Sequence, residues 1–132
     1  MDQKSEERLI MEYFRESFSD FPKGKLIQSE SPDFILKPGP KKSIGIELTR
    51  LAENASSLKE KIEASLENKN NKIHLYQQKK FNAIWLIIHS DFIDESKSFN
   101  INNKLDNWKF NSKFDRVFMF DLFEKKIYPI NI

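Results

Sequence analysis

The sequence predicts a single α/β (α+β) domain spanning residues 1–132, with a mixed central β-sheet flanked by helices in the order α-β-β-β-α-β-loop-β-β. Three observations predict it. Apolar residues recur at helical spacing near the N-terminus, two β-prone runs flank a Pro/Gly loop, and residues 83–88 form one short, continuous apolar run. Elements of these two periods bury their apolar faces best by stacking helices on a sheet.

The first helix follows from Leu9, Ile10, Tyr13, Phe14 and Phe18, with Arg8, Glu12, Arg15 and Glu16 on the opposite face. Pro22 and Gly24 end it. A short strand is expected over 25–29. Pro32-Asp33-Phe34-Ile35-Leu36 and Ile44-Gly45-Ile46-Glu47-Leu48-Thr49 then read as an antiparallel hairpin around Pro38-Gly39-Pro40. Ser57-Leu58-Lys59-Glu60 matches a capping box, so a second helix should start there and run to about Gln78. The run 83–88 has the unbroken apolarity of a strand covered on both faces. Residues 91–115 are polar and Asn-rich, which predicts mostly loop with one helical turn, and 116–121 and 127–130 complete the sheet.

Composition removes several function classes. The chain has no cysteine, which excludes a disulfide framework, a thiolate zinc site and a Cys nucleophile. Net charge is only +2, so any footprint for nucleic acid must be local. The charged N-terminus lacks the apolar core of a signal peptide, and no apolar run approaches the roughly 18–20 residues of a membrane span. The expectation is a cytoplasmic protein without membrane contact.

The hairpin carries the chemistry. Opposed residues in an antiparallel pair have position numbers of constant sum. A loop centred near Pro40 sets Asp33 opposite Glu47, with Cβ atoms roughly 5 Å apart. Two facing carboxylates repel, and a divalent cation removes the repulsion; hard oxygen donors suit Mg²⁺ or Mn²⁺. The inner stripe of the second helix runs Ile62, Leu66, Lys69, Ile73, Tyr76. Lys69 interrupts that apolar seam, so it either snorkels outward or meets negative charge, and Lys72 lies at the stripe's edge.

Glu30-Ser31-Pro32-Asp33-Phe34-Ile35-Leu36 followed by Ile44-Gly45-Ile46-Glu47-Leu48-Thr49 resembles the core of the PD-(D/E)XK, or restriction-endonuclease-like, nuclease superfamily. Pro32-Asp33 matches the PD element and Glu47 the (D/E), whereas Thr49 occupies the lysine position. Some branches carry that lysine on the following helix, and the stretch around Lys69-Asn70-Asn71-Lys72 resembles that arrangement. The resemblance implies a restriction-endonuclease-like core. Asp33, Glu47 and the backbone carbonyl of Leu48 would hold Mg²⁺ or Mn²⁺, and Lys69 first or Lys72 second would take the lysine role. Thr49 would orient a ligand. The superfamily's acidic residue on the first helix is assigned to Glu6, which precedes Ile10 by one turn on the inward stripe.

The implied activity is metal-dependent phosphodiester hydrolysis, with DNA as the partner. A chain this small would reach both strands of a duplex as a homodimer. Basic and aromatic residues alternate over 97–116: Lys97, Phe99, Lys104, Trp108, Lys109, Phe110, Lys113, Phe114 and Arg116, with Lys79 and Lys80 extending the set. Basic groups engage phosphates and aromatics stack on bases.

Structural readings stand beside these. Asp33 after Pro is a common turn residue, Glu47 suits a cross-strand partner, Lys69 a snorkelling lysine and Glu6 a helix N-terminus. Trp and Phe of 97–116 suit a loop tucked into the core, and Phe118, Phe120 and Phe123 suit the core itself. His74 and His89 read as structural or surface residues. The alternative function is a catalytically inactive relative serving as a nucleic-acid-binding or protein-interaction module, and an unrelated α/β interaction protein also fits.

Overall fold

The computed structural model describes residues 2–93 and 101–132. Its elements, in chain order, are α1 (Gln3–Ser17), β1 (Lys25–Gln28), β2 (Phe34–Gly39), β3 (Lys42–Arg50), α2 (Leu58–Asn70), α3 (Ile73–Gln77), β4 (Ala83–Ser90), α4 (Ile101–Asn107), β5 (Arg116–Asp121) and β6 (Lys126–Ile130). The six strands form one sheet in sequential order. β1, β2 and β3 are antiparallel neighbours, β3, β4 and β5 run parallel, and β6 returns antiparallel at the edge.

Topology decides where the helices lie. The two parallel steps, β3 to β4 and β4 to β5, move across the sheet in the same direction. Right-handed crossovers then put both connections on one face. There α2, α3 and α4 bury Ile62, Leu66, Tyr76 and Leu105 against Leu86, Ile88 and Met119. α1 covers the other face, where Ile10, Met11 and Phe14 meet Ile46, Leu48, Ile87 and Phe118. Strict alternation along β4 sends Leu86 and Ile88 one way and Trp85 and Ile87 the other, so the strand needs the continuous apolar run. Aromatic edges lock the α1 face: Phe14 lies 5.4 Å from Phe118 and 5.5 Å from Phe120, while Arg116 stacks 4.7 Å from Phe118.

Several expectations shift. Leu9, placed on the inward stripe of α1, is exposed, and Met11 is buried instead. The helix expected to reach Gln78 breaks after Asn70, where Asn68, Asn70 and Asn71 are weak helix formers and the Asn70 amide bonds outward to the Asn111 carbonyl at 3.1 Å. The stretch 91–115 holds the seven-residue α4 in place of a single turn, because Ile101 and Leu105 supply an i, i+4 anchor to the core. Phe118 and Phe120 are core, but Phe123 sits in the β5–β6 turn at 72% exposure. Among the described residues, no helix is long and apolar enough to cross a membrane.

Candidate functional site

The β2–β3 hairpin closes through a two-residue turn at Pro40-Lys41, after a bulge that absorbs Pro38, a residue with no N–H to give a ladder. Beyond the bulge the pairing is Phe34 with Ile46 and Ile35 with Gly45, the constant-sum register that sets Asp33 across from Glu47. β2 begins at Phe34 whereas β3 continues to Arg50. The last residues of β3 therefore lose their β2 partner, and Asp33 takes its place. Its Oδ2 accepts from Leu48 N–H at 2.8 Å, while its own N–H donates to Glu47 Oε1 at 3.1 Å. N–H and C=O of one residue in an extended strand point the same way, so the Leu48 carbonyl also faces the Asp33 side, away from β4. Gly45 makes this corner possible. A Cβ there would lie 3.0 Å from the Pro32 ring and 3.2 Å from Phe81.

Lys69 and Tyr76 reach Glu47 from the helical layer. Lys69 Nζ stands 2.9 Å from Oε2, and the Tyr76 hydroxyl donates to the same oxygen at 2.5 Å. Residues seven apart on a continuous helix are separated by about 10.5 Å of rise. The break at Asn71 and Lys72 folds the chain so that both side chains meet one oxygen. Glu47, 5% exposed, is thus a buried carboxylate with three donors.

The two carboxyls differ in charge. Burial, and next the Glu47 charge, push Asp33 up to about 8, and Glu7 adds to the rise. Burial also works against ionised Glu47, but hydrogen bonds from Tyr76, Asp33 and Lys69 outweigh it and hold its pKa below the usual value. The pair therefore holds one proton between them near neutrality, with the shifts favouring the Asp33 side. Tyr76, buried and bonded to a carboxylate, is pushed up and stays protonated as a donor.

A cleft of about 320 Å³ opens beside this corner, between α1 and the ends of β3 and β4. Glu6, Glu7, Thr49, Arg50, Lys69 and His89 line it. Glu6 is bound to Arg50 at 3.0 Å; Glu7, one position further round α1, is the acid that reaches Asp33. Lys72 is exposed at the cap of α3, whereas Lys69 reaches Glu47.

The candidate nucleic-acid residues do not share one surface. Lys79 Nζ donates to the Ser31 carbonyl, close to Asp33, and exposed Lys80 turns the chain at φ 58°. Lys104 lies on α4, Trp108 packs against the core beside Phe110, and Lys109 lines a different cavity with Glu63 and Glu67. Lys113 is exposed in the loop before β5, whereas Arg116 lies on the α1 face. Phe110 and Phe114 are core, and Lys97 and Phe99 lie outside the described residues.

Sequence reasoning missed Tyr76, Glu7, Arg50 and His89 at this site. Tyr76 was visible in the inner stripe, where its hydroxyl needed a buried partner. Glu7 was hidden by its neighbour Glu6, since one residue is only about 100° of helix. Compared with protein-family models, with curated proteins and with solved structures, the chain finds no match.

Proposed function

We propose that the protein is a metal-dependent phosphodiesterase with a restriction-endonuclease-like core, acting on DNA, and a divergent relative of PD-(D/E)XK nucleases. The observation that carries this reading is the convergence of Asp33 and Glu47 across adjacent strands with the Lys69 amine 2.9 Å from Glu47.

The donor set fits a hard divalent cation. Every candidate ligand is oxygen: the Asp33 and Glu47 carboxyls and the Leu48 carbonyl. The pair retains a proton because burial, and next the Glu47 charge, disfavour a second negative charge in this corner, a charge that a bound cation would offset. When bound, Mg²⁺ or Mn²⁺ supplies positive charge for phosphate oxygens and acidifies water. Lys69, on the helix side, offers its ammonium to the phosphate and steers the attacking water. Tyr76 keeps Glu47 in one orientation, and Thr49 provides a hydroxyl on the cleft wall. Water attacks phosphorus and gives up a proton to solvent, the phosphorus–oxygen bond to the leaving strand breaks, and the departing oxygen takes up a proton from solvent.

Calorimetric titration of Mn²⁺ into wild type, Asp33→Asn and Glu47→Gln tests the site, together with cleavage of single- and double-stranded DNA in Mg²⁺. Binding in wild type that both variants lose, with cleavage that they and Lys69→Met lose, is expected. Metal binding without cleavage of any substrate would favour the inactive relative, for which the Thr49 replacement of the motif lysine speaks. A wild type that binds no Mn²⁺ even with oligonucleotide present would end the metalloenzyme reading.

A further inference from the structure

The cleft beside the carboxylates has a second wall that hydrolysis as described does not use. Arg50 and His89 are register partners on β3 and β4 and point to the α1 face. Arg50 stands three residues beyond Glu47 on an extended strand, about 10 Å away. Three residues apart on a strand, the two side chains leave opposite faces of the sheet, but Arg50 and Lys69 line the same cleft, so a phosphate held by Arg50 shares that cleft with the Lys69 amine that contacts Glu47.

Both side chains are suited to an anion. The Arg50 guanidinium lies 3.0 Å from Glu6 and 3.7 Å from Asp91, in pairs whose side chains are from nearly half to largely exposed to water. Exposed pairs of this kind contribute little, so Arg50 can exchange a carboxylate for a phosphate at small cost and meet it with a bidentate fork. His89 is 7% exposed, and its Nδ1 is enclosed with no partner among the described residues. Burial, then the Arg50 charge, hold the ring well below its usual pKa, at about 4, so it is neutral. A neutral ring carries one proton, and placing it on Nε2 leaves no enclosed N–H without an acceptor. His89 is then a fixed, uncharged N–H donor on the cleft wall.

Building on the nuclease reading, we propose that Arg50 and His89 together hold the backbone phosphate next to the one presented to Asp33 and Glu47, so that the cleft is the path of the nucleic-acid strand across the domain. Arg50 supplies charge and His89 supplies direction. Glu6 and Asp91 compete for the guanidinium when the strand is absent.

Fluorescence anisotropy of a labelled single-stranded DNA oligonucleotide tests this, in Ca²⁺, an oxygen-seeking cation, across a salt series. Arg50→Gln is expected to weaken binding about tenfold and to flatten the slope of log affinity against log salt by about 0.7, the share of one phosphate on a single strand. His89→Leu should weaken binding about threefold with the slope unchanged, and His89→Asn, which keeps an N–H donor, should bind like wild type. Mn²⁺ calorimetry on the same variants should match wild type. Wild-type binding that Arg50→Gln and His89→Leu both retain, at the same slope, overturns the assignment while leaving the metal site intact. Displacement of the oligonucleotide by equimolar inorganic phosphate overturns it in favour of a small-anion site. Absence of both Mn²⁺ and oligonucleotide binding in wild type removes this proposal and the nuclease reading together.

Discussion

The two faces of the central sheet treat buried polar groups in opposite ways. On the face covered by α2 and α3, Glu47 receives donors from Lys69, Tyr76 and the Asp33 backbone. On the face covered by α1, His89 lies at similar depth, yet its Nδ1 has no partner among the described residues. Charge explains the difference. A buried carboxylate without partners costs several kcal/mol, so the fold surrounds it. An imidazole can become neutral and tuck a bare lone pair inside at a cost of about 1–3 kcal/mol. The first region is determined by its own contacts, and the second keeps capacity for a group from outside.

The largest effect should come from stripping the charged face. Lys69→Met leaves Glu47 buried without its cation and should lower unfolding free energy by about 3 kcal/mol in urea titrations without divalent metal. A loss under about 0.5 kcal/mol, the range of an ordinary surface change, would show that Glu47 does not depend on the amine. Asp33→Asn works in the other direction. The folded pKa of about 8 exceeds the unfolded value, so the native state holds a proton that the unfolded chain releases, and wild-type stability falls as pH rises from about 4 toward 8. The Asn variant escapes this and should be the more stable by about 2 kcal/mol near pH 8, after allowing for water screening of the part-open corner. The gap should close as pH falls; a constant offset across pH would contradict the shared proton.

Two smaller effects sharpen the contrast. Tyr76→Phe removes one charge-assisted donor but leaves Lys69, so a loss of about 1.5 kcal/mol is expected by thermal or urea denaturation. On the other face, the folded pKa of His89 is depressed to about 4. Its stabilising neutral state is complete above the unfolded pKa of about 6.5 and is lost as pH falls through 4. Wild type should therefore lose about 1 kcal/mol relative to His89→Gln on acidification to about pH 5. Parallel melting curves for the two proteins over that range would mean that His89 is not buried neutral.

Sheet and hairpin were legible because their signals are local. Residues 83–88 needed no partner to read as a central strand, and the constant-sum rule placed Asp33 against Glu47 from the loop position alone. The interruption of an apolar stripe by Lys69 was equally local, and it pointed to negative charge before any contact was known. The break after Asn70 was less visible, since weak helix formers lower stability without dictating where a helix ends. That was decided by the tertiary bonds of the Asn70 side chain to Asn111 and Ser112.

By itself, the sequence determined the mixed sheet flanked by helices, the facing carboxylates and the lysine in the helical seam, because periodicity and turn position act over a few residues. Only the tertiary structure decided which acid of α1 meets Asp33, that Tyr76 shares an oxygen with Lys69, and that Arg50 and His89 line one cleft. Those relations depend on crossover handedness and on how layers rotate against each other. Both are set by long-range packing, which no local window of sequence contains.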